Sequence, residues 1–106
     1  MTPPVKVITP WRPEPSRMPG FEWLLRYYTH RFGADAVHVE IDDSDGPFNK
    51  SRLINHAVPQ HAGHFCVITD ADAFICDWTL REAIRLAVTG AKMVLPHNSV
   101  YATRLL

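Results

Sequence analysis

Apolar positions along the chain change period in a regular order, first every second residue, then every third or fourth. Val5-Lys6-Val7-Ile8-Thr9 has the β-branched content of a short strand, and Pro10 closes it. Six of the nine prolines fall within the first 19 residues, so 10–20 reads as a loop. From Phe21 the spacing turns helical, with Phe21, Leu24, Leu25 and Tyr28 on one face and Gly33 as the stop. Val37, Val39 and Ile41 then alternate with His38 and Glu40, which predicts a second strand over 36–41. An acidic turn, Asp42-Asp43-Ser44-Asp45-Gly46-Pro47, follows it.

Residues 49–58 predict a second helix, halted before Pro59. The run Phe65 to Thr69 is nearly continuous in apolar residues, as expected of a strand buried on both faces of a parallel sheet. Thr79-Leu80-Arg81-Glu82 has the form of a capping box. Leu80, Ala83, Ile84, Ala87 and Val88 then form a helical stripe before Gly90. Met93-Val94-Leu95 predicts a fourth strand, closed by Pro96, and residues 98–106 have no clear period. The order β-α-β-α-β-α-β predicts a layered α/β fold of Rossmann-like type with a mainly parallel sheet, in a single domain over 1–106.

Composition narrows the function classes. Eleven Lys and Arg balance eleven Asp and Glu, so the chain lacks the basic surplus of a nucleic-acid binder, and no nucleic-acid partner is expected. No apolar run approaches the roughly 20 residues of a membrane span, and the Pro-rich start has no signal-peptide core. These features give the expectation of a cytoplasmic protein with Cys66 and Cys76 as reduced thiols. The six histidines (30, 38, 56, 61, 64 and 97) are scattered, and neither they nor the cysteines have zinc-site spacing.

The zero net charge conceals a segregation. Residues 35–77 hold eight acids against Lys50 and Arg52, while both flanks are basic. In open α/β sheets, ligands bind beyond the carboxyl ends of the strands. The predicted ends are Thr9-Pro10-Trp11-Arg12, Asp42-Asp43-Ser44-Asp45, Asp70-Ala71-Asp72 and His97. Five carboxylates gathered there need a counter-charge. Mg²⁺ or Mn²⁺ bridging a phosphate supplies one, since such cations take oxygen ligands and need only one or two carboxylates. Asp is also simply common in turns, which suits 42–45 better than it suits Asp70 and Asp72.

Val67-Ile68-Thr69-Asp70-Ala71-Asp72-Ala73-Phe74 resembles the apolar strand and DxD motif of GT-A glycosyltransferases. Phe48-Asn49-Lys50-Ser51-Arg52-Leu53-Ile54-Asn55 resembles a helix start of β-1,4-galactosyltransferase-like and chondroitin-polymerase-like members. Thr9-Pro10-Trp11-Arg12 is similar to their first-strand exit, and Asp42-Asp43-Ser44 to the acidic turn of family-2-type transferases. The four segments keep the family's order over nearly the whole chain.

The resemblance implies a metal-dependent site for a nucleotide-sugar donor, a UDP-sugar, whose hexosyl group would pass to an acceptor. By that resemblance Asp72 ligates Mn²⁺ or Mg²⁺, and Asp70 meets the ribose or the metal's water shell. Asp42 or Asp43 faces the nucleobase, Thr9, Pro10 and Trp11 line its pocket, and Phe48 and Asn49 open the neighbouring helix. Arg12, Arg52 and Lys50 meet the diphosphate, Lys50 standing where related enzymes often carry Arg. The bland roles are packing for Trp11, a helix staple for Phe48 and a solvated position for Arg52.

Family members are longer, and their second half supplies the acceptor site and the base of inverting enzymes. No Asp or Glu follows Glu82 here, and His97 is a weak substitute, so the catalytic residue stays unassigned. The expectation is therefore a donor-binding half, truncated at its C-terminus, inactive alone, and completed by a missing half, a partner chain or self-association through Val100, Tyr101, Leu105 and Leu106. Two alternatives stand beside it. One is a non-catalytic nucleotide- or metal-binding module. The other is a haloacid-dehalogenase-like phosphatase with Asp70 as nucleophile and Asp72 as general acid, although position 74 is Phe and no later acidic pair follows.

Overall fold

Three parallel strands form the sheet, in the order β2-β1-β3: β1 is Val5–Trp11, β2 Val37–Ile41 and β3 Phe65–Ile68. A computed structural model of the chain describes residues 4–71 and 74–90. Its contacts divide into two units, Met1–Asp72 and Ala73–Leu106. The first holds the sheet with helices α1 (Met18–Phe32) and α2 (Lys50–Ala57), and the second holds α3 (Asp77–Val88). The predicted fourth strand, the 98–106 tail and His97 lie outside the described residues, as does Asp72. No helix of the described residues is long and apolar enough to cross a membrane.

The chain leaves β1 for β2 in one direction and returns past β1 to β3 in the other. Parallel crossovers are right-handed by rule, and opposite steps then put α1 and α2 on opposite faces. The side chains agree. Phe21 of α1 stacks on Trp11 with ring centroids 4.1 Å apart, and Val39 packs on the same cluster. His56 of α2 instead meets Glu40, which points away from the Val39 face. Central β1 is the best-buried element: Val7 and Ile8 are fully enclosed, each contributing roughly 1.5–3 kcal/mol.

Several boundaries move. β1 runs through Pro10 to Trp11 rather than stopping at the proline. The Pro4 and Ile8 carbonyls face β3, accepting from Phe65 and Thr69, whereas that of Trp11 faces β2. The missing N–H of Pro10 therefore falls on the β3 side, where the pairing ends at Ile68, and the β2 ladder runs on through Trp11. The first helix starts at Met18, three residues early, because Pro19 in its first turn is compatible with a helix start. Gly33 ends that helix as expected, at a φ of 97° that favours glycine.

Asn49 caps α2 by accepting the Arg52 N–H at 3.1 Å, and a 3₁₀ turn, Val58–His61, carries the chain through Pro59. β3 is half-buried and Ile68 exposed, not enclosed on both faces, since β1 is its one partner among the described strands. The capping box also fails. Cys76 is the N-cap of α3, Thr79 lies inside the helix, and Glu82 pairs forward with Arg85.

Candidate functional site

The ends of β1 and β3 open on a cleft of about 200 Å³, lined by Pro10, Trp11, Arg12, Glu14, Arg17, Phe48, Asp70 and Ala71. Three separate stretches of chain, 10–17, 48 and 70–71, meet there because parallel pairing puts the carboxyl ends of adjacent strands on one edge. Its charged lining is balanced, Arg12 and Arg17 against Glu14 and Asp70.

Trp11 forms the floor. It is 3% exposed, stacked on Phe21, with the Arg17 guanidinium 5.4 Å from its ring centre. Its larger role is therefore packing, and only an edge remains for the cleft. Phe48 is the exposed aromatic, 44% accessible, and Arg12 lies over its ring at 5.8 Å.

Beside the cleft, Asp42 organises the acidic turn. Its side chain is fully enclosed. Oδ2 accepts from Arg12 Nη2 at 2.5 Å. Oδ1 accepts from the Ser44 hydroxyl at 2.7 Å, the Ser44 N–H at 3.0 Å and Arg52 Nη2 at 3.0 Å. Arg12 Nη2 also donates to the Gly46 carbonyl at 2.6 Å. The Ser44 hydroxyl, then its N–H, and then Arg12 hold the Asp42 carboxyl at about 2, against an opposing desolvation effect. Asp42 thus pairs with two guanidiniums at once. Arg12 Nε is buried, with no hydrogen-bond partner among the described residues.

The remaining residues sort clearly. Asp43 is exposed where Asp42 is buried, so of these two candidates for the nucleobase contact it is the one open to solvent. Thr9 is buried and shares a 2.8 Å hydrogen bond with the Thr69 hydroxyl, tying β1 to the end of β3 instead of lining the cleft. Asn49 is a helix cap. Lys50 pairs with Asp70 across the mouth of the cleft, both half-exposed. Arg52 contacts Asp42 and the Ser44 hydroxyl.

Sequence reasoning did not single out Glu14 or Arg17, and it took Ser44 only as part of the acidic turn. The first two lay in a stretch legible only as a Pro-rich loop. Ser44 carried a signal, since a Ser two residues after an Asp can close an Asx turn.

No group of three or more His, Cys, Asp or Glu suited to a metal ion occurs among the described residues. Asp70 supplies one carboxylate and Asp72 lies outside the description. The chain matches no family model, and comparison with curated proteins and with solved structures found no match.

Proposed function

We propose that the cleft binds the diphosphate and nucleoside of a nucleotide-sugar donor, a UDP-sugar, as the donor half of a GT-A-type glycosyltransferase. The observation that carries this reading is Arg12. It lines the cleft beside an exposed aromatic ring, and its buried Nε–H is a hydrogen-bond donor with no partner among the described residues. An anionic oxygen would satisfy that donor, and buried donors left unmade cost roughly 1–3 kcal/mol. The position adds support, because in the order β2-β1-β3 the chain steps from β1 to β2 and then returns past β1 to β3, and points where the strand order reverses are where open parallel sheets take ligands.

Residue roles shift within this reading. Asp42 holds Arg12 and Arg52 in place, and Asp43 is left to accept from the nucleobase. Arg12 meets the diphosphate, with Phe48 flanking it. Asp70 and Asp72 would hold Mn²⁺ or Mg²⁺, two carboxylates being the number such cations commonly use alongside phosphate oxygens and water. The bound cation would neutralise the diphosphate as a leaving group. Lys50 must first release Asp70, and its ammonium then stands ready for the same phosphates.

Calorimetric titration with UDP, with and without Mn²⁺, tests the assignment. Binding that needs the metal and is lost in Asp72→Ala and Arg12→Ala supports it. UDP that fails to bind with metal, or binds Asp72→Ala as well as wild type, rejects it. Donor hydrolysis or transfer to a sugar panel then separates an enzyme from a binding module.

A further inference from the structure

On the sheet face opposite the Trp11–Phe21 cluster, four side chains from three consecutive elements form a polar chain that the cleft does not use. His38 and Glu40 of β2 meet His56 of α2 and His61 of the following 3₁₀ turn. His38 Nε2 lies 2.8 Å from Glu40 Oε1, and His38 Nδ1 lies 2.6 Å from His61 Nε2. The other Glu40 oxygen, Oε2, lies 2.9 Å from His56 Nδ1. The side chains of His38 and Glu40 are only 19% and 15% exposed.

The chemistry of these groups fixes where the protons sit. An ionised carboxylate can only accept, so His38 Nε2 and His56 Nδ1 both carry hydrogen. The Gln60 amide, 3.3 Å from His56 Nδ1, donates instead to the His56 carbonyl at 3.0 Å. In neutral His38 the remaining nitrogen, Nδ1, then holds a lone pair, and His61 Nε2–H must donate to it. One added proton can be shared between the two rings, with Glu40 balancing its charge. A second cannot. It would leave two imidazolium N–H donors facing each other at 2.6 Å, with no acceptor between them.

We propose that His38 and His61 form a pH-sensitive latch, which fastens the segment from α2 to the 3₁₀ turn onto β2 near neutral pH and releases it on acidification. The charges that act on His61, from Lys6, His38 and His64, favour release over further protonation, and Glu40 is already occupied by two rings. Lys6 of β1 lies close enough to act on His61 while its ammonium donates to the Asp35 carbonyl. The His64 ring centre is 6.0 Å from that of His61. His56 adds its own charge when protonated. From β3, Cys66 faces the same side, its thiol kept neutral because burial raises its pKa. Lys50 and Arg52 of α2 are engaged with Asp70 and Asp42.

Burial first, then Lys6, His38 and His64, push the His61 pKa below its ordinary 6.5. The released state therefore takes up the proton more readily than the latched one. The latch contributes in full above about 6.5 and is lost as pH falls through the lower folded value. The latch stands whether or not the cleft takes a nucleotide.

Amide hydrogen exchange of residues 50–61, corrected for intrinsic rate, tests it on the whole chain. Protection in wild type should fall by up to about tenfold from about pH 7.5 to about pH 5.5, the most that one linked proton allows. His61→Gln keeps an N–H donor for His38 but takes up no proton, so its protection should change by less than about threefold over that range. An equal pH response in wild type and His61→Gln would overturn the latch, as would no response in wild type. Should the variant not fold, ¹⁵N shifts of the wild-type rings decide: Nε2–H on both His38 and His61 near neutral pH supports the latch, and any other tautomer pair rejects it.

Discussion

Arg12 Nη2 reaches Asp42 Oδ2 at 2.5 Å, joining the exit of β1 to the exit of β2 across thirty positions of sequence. The contact makes one residue serve two purposes, since Arg12 both closes the acidic turn and lines the cleft. Arg12→Lys keeps the charge but loses the planar fork and its stacking on Phe48. Affinity for UDP with Mn²⁺ should fall about tenfold, while Arg52 keeps Asp42 paired and the fold survives. Calorimetry with circular dichroism as a fold control measures both.

Asp42 should titrate at about 2, well below an ordinary carboxyl at 3.8. A depressed folded value means that its stabilising effect is present above 3.8 and lost as pH falls toward about 2. Ser44→Ala removes the largest cause, the hydroxyl bond, so the ¹³C-detected carboxyl titration should move upward. An unmoved curve would show that the backbone N–H of residue 44 and the arginines suffice to set it.

Thr9 and Thr69 form a buried hydroxyl pair. Thr9→Val strands the Thr69 hydroxyl and should cost about 1–3 kcal/mol in urea unfolding. The double change to Val at both positions should recover most of that loss, because neither hydroxyl is then left without its partner. A double variant as unstable as the sum of the singles contradicts the pairing.

Lys50 and Asp70 present the opposite case. Both side chains are about half exposed (44% and 50%), so the ion pair should contribute less than about 1 kcal/mol to stability. Lys50→Gln frees the Asp70 carboxylate and should therefore tighten Mn²⁺ binding while leaving the urea midpoint nearly unchanged. Asp70→Asn should weaken Mn²⁺ binding with the same small effect on stability. Manganese titration followed by water-proton relaxation reads both.

Enclosed Leu53 fixes α2 to the body of the first unit. Leu53→Ala should cost roughly 2–5 kcal/mol, several times the loss at any exposed position on that helix. Thermal and urea unfolding give the value.

The sequence by itself determined the alternation of strands and helices, because period and punctuation are local. Val37, Val39 and Ile41 must share a face, and Gly33 alone suits the φ at which the first helix ends. It also marked the strand exits, where Arg12, Asp42 and Asp70 stand. Tertiary structure decided what those residues do. Whether Asp42 is an open acceptor or a filled one depends on Arg12, Arg52 and Ser44 arriving together, and only Ser44 is its neighbour in the chain. Thr9 reads as a site residue until Thr69 is seen to occupy its hydroxyl. Scattered His38, Glu40, His56 and His61 had no motif spacing, yet a β2-α2 step folds them into one polar chain. Local periodicity fixes which face a side chain takes, and only the crossing of the chain fixes what it meets there.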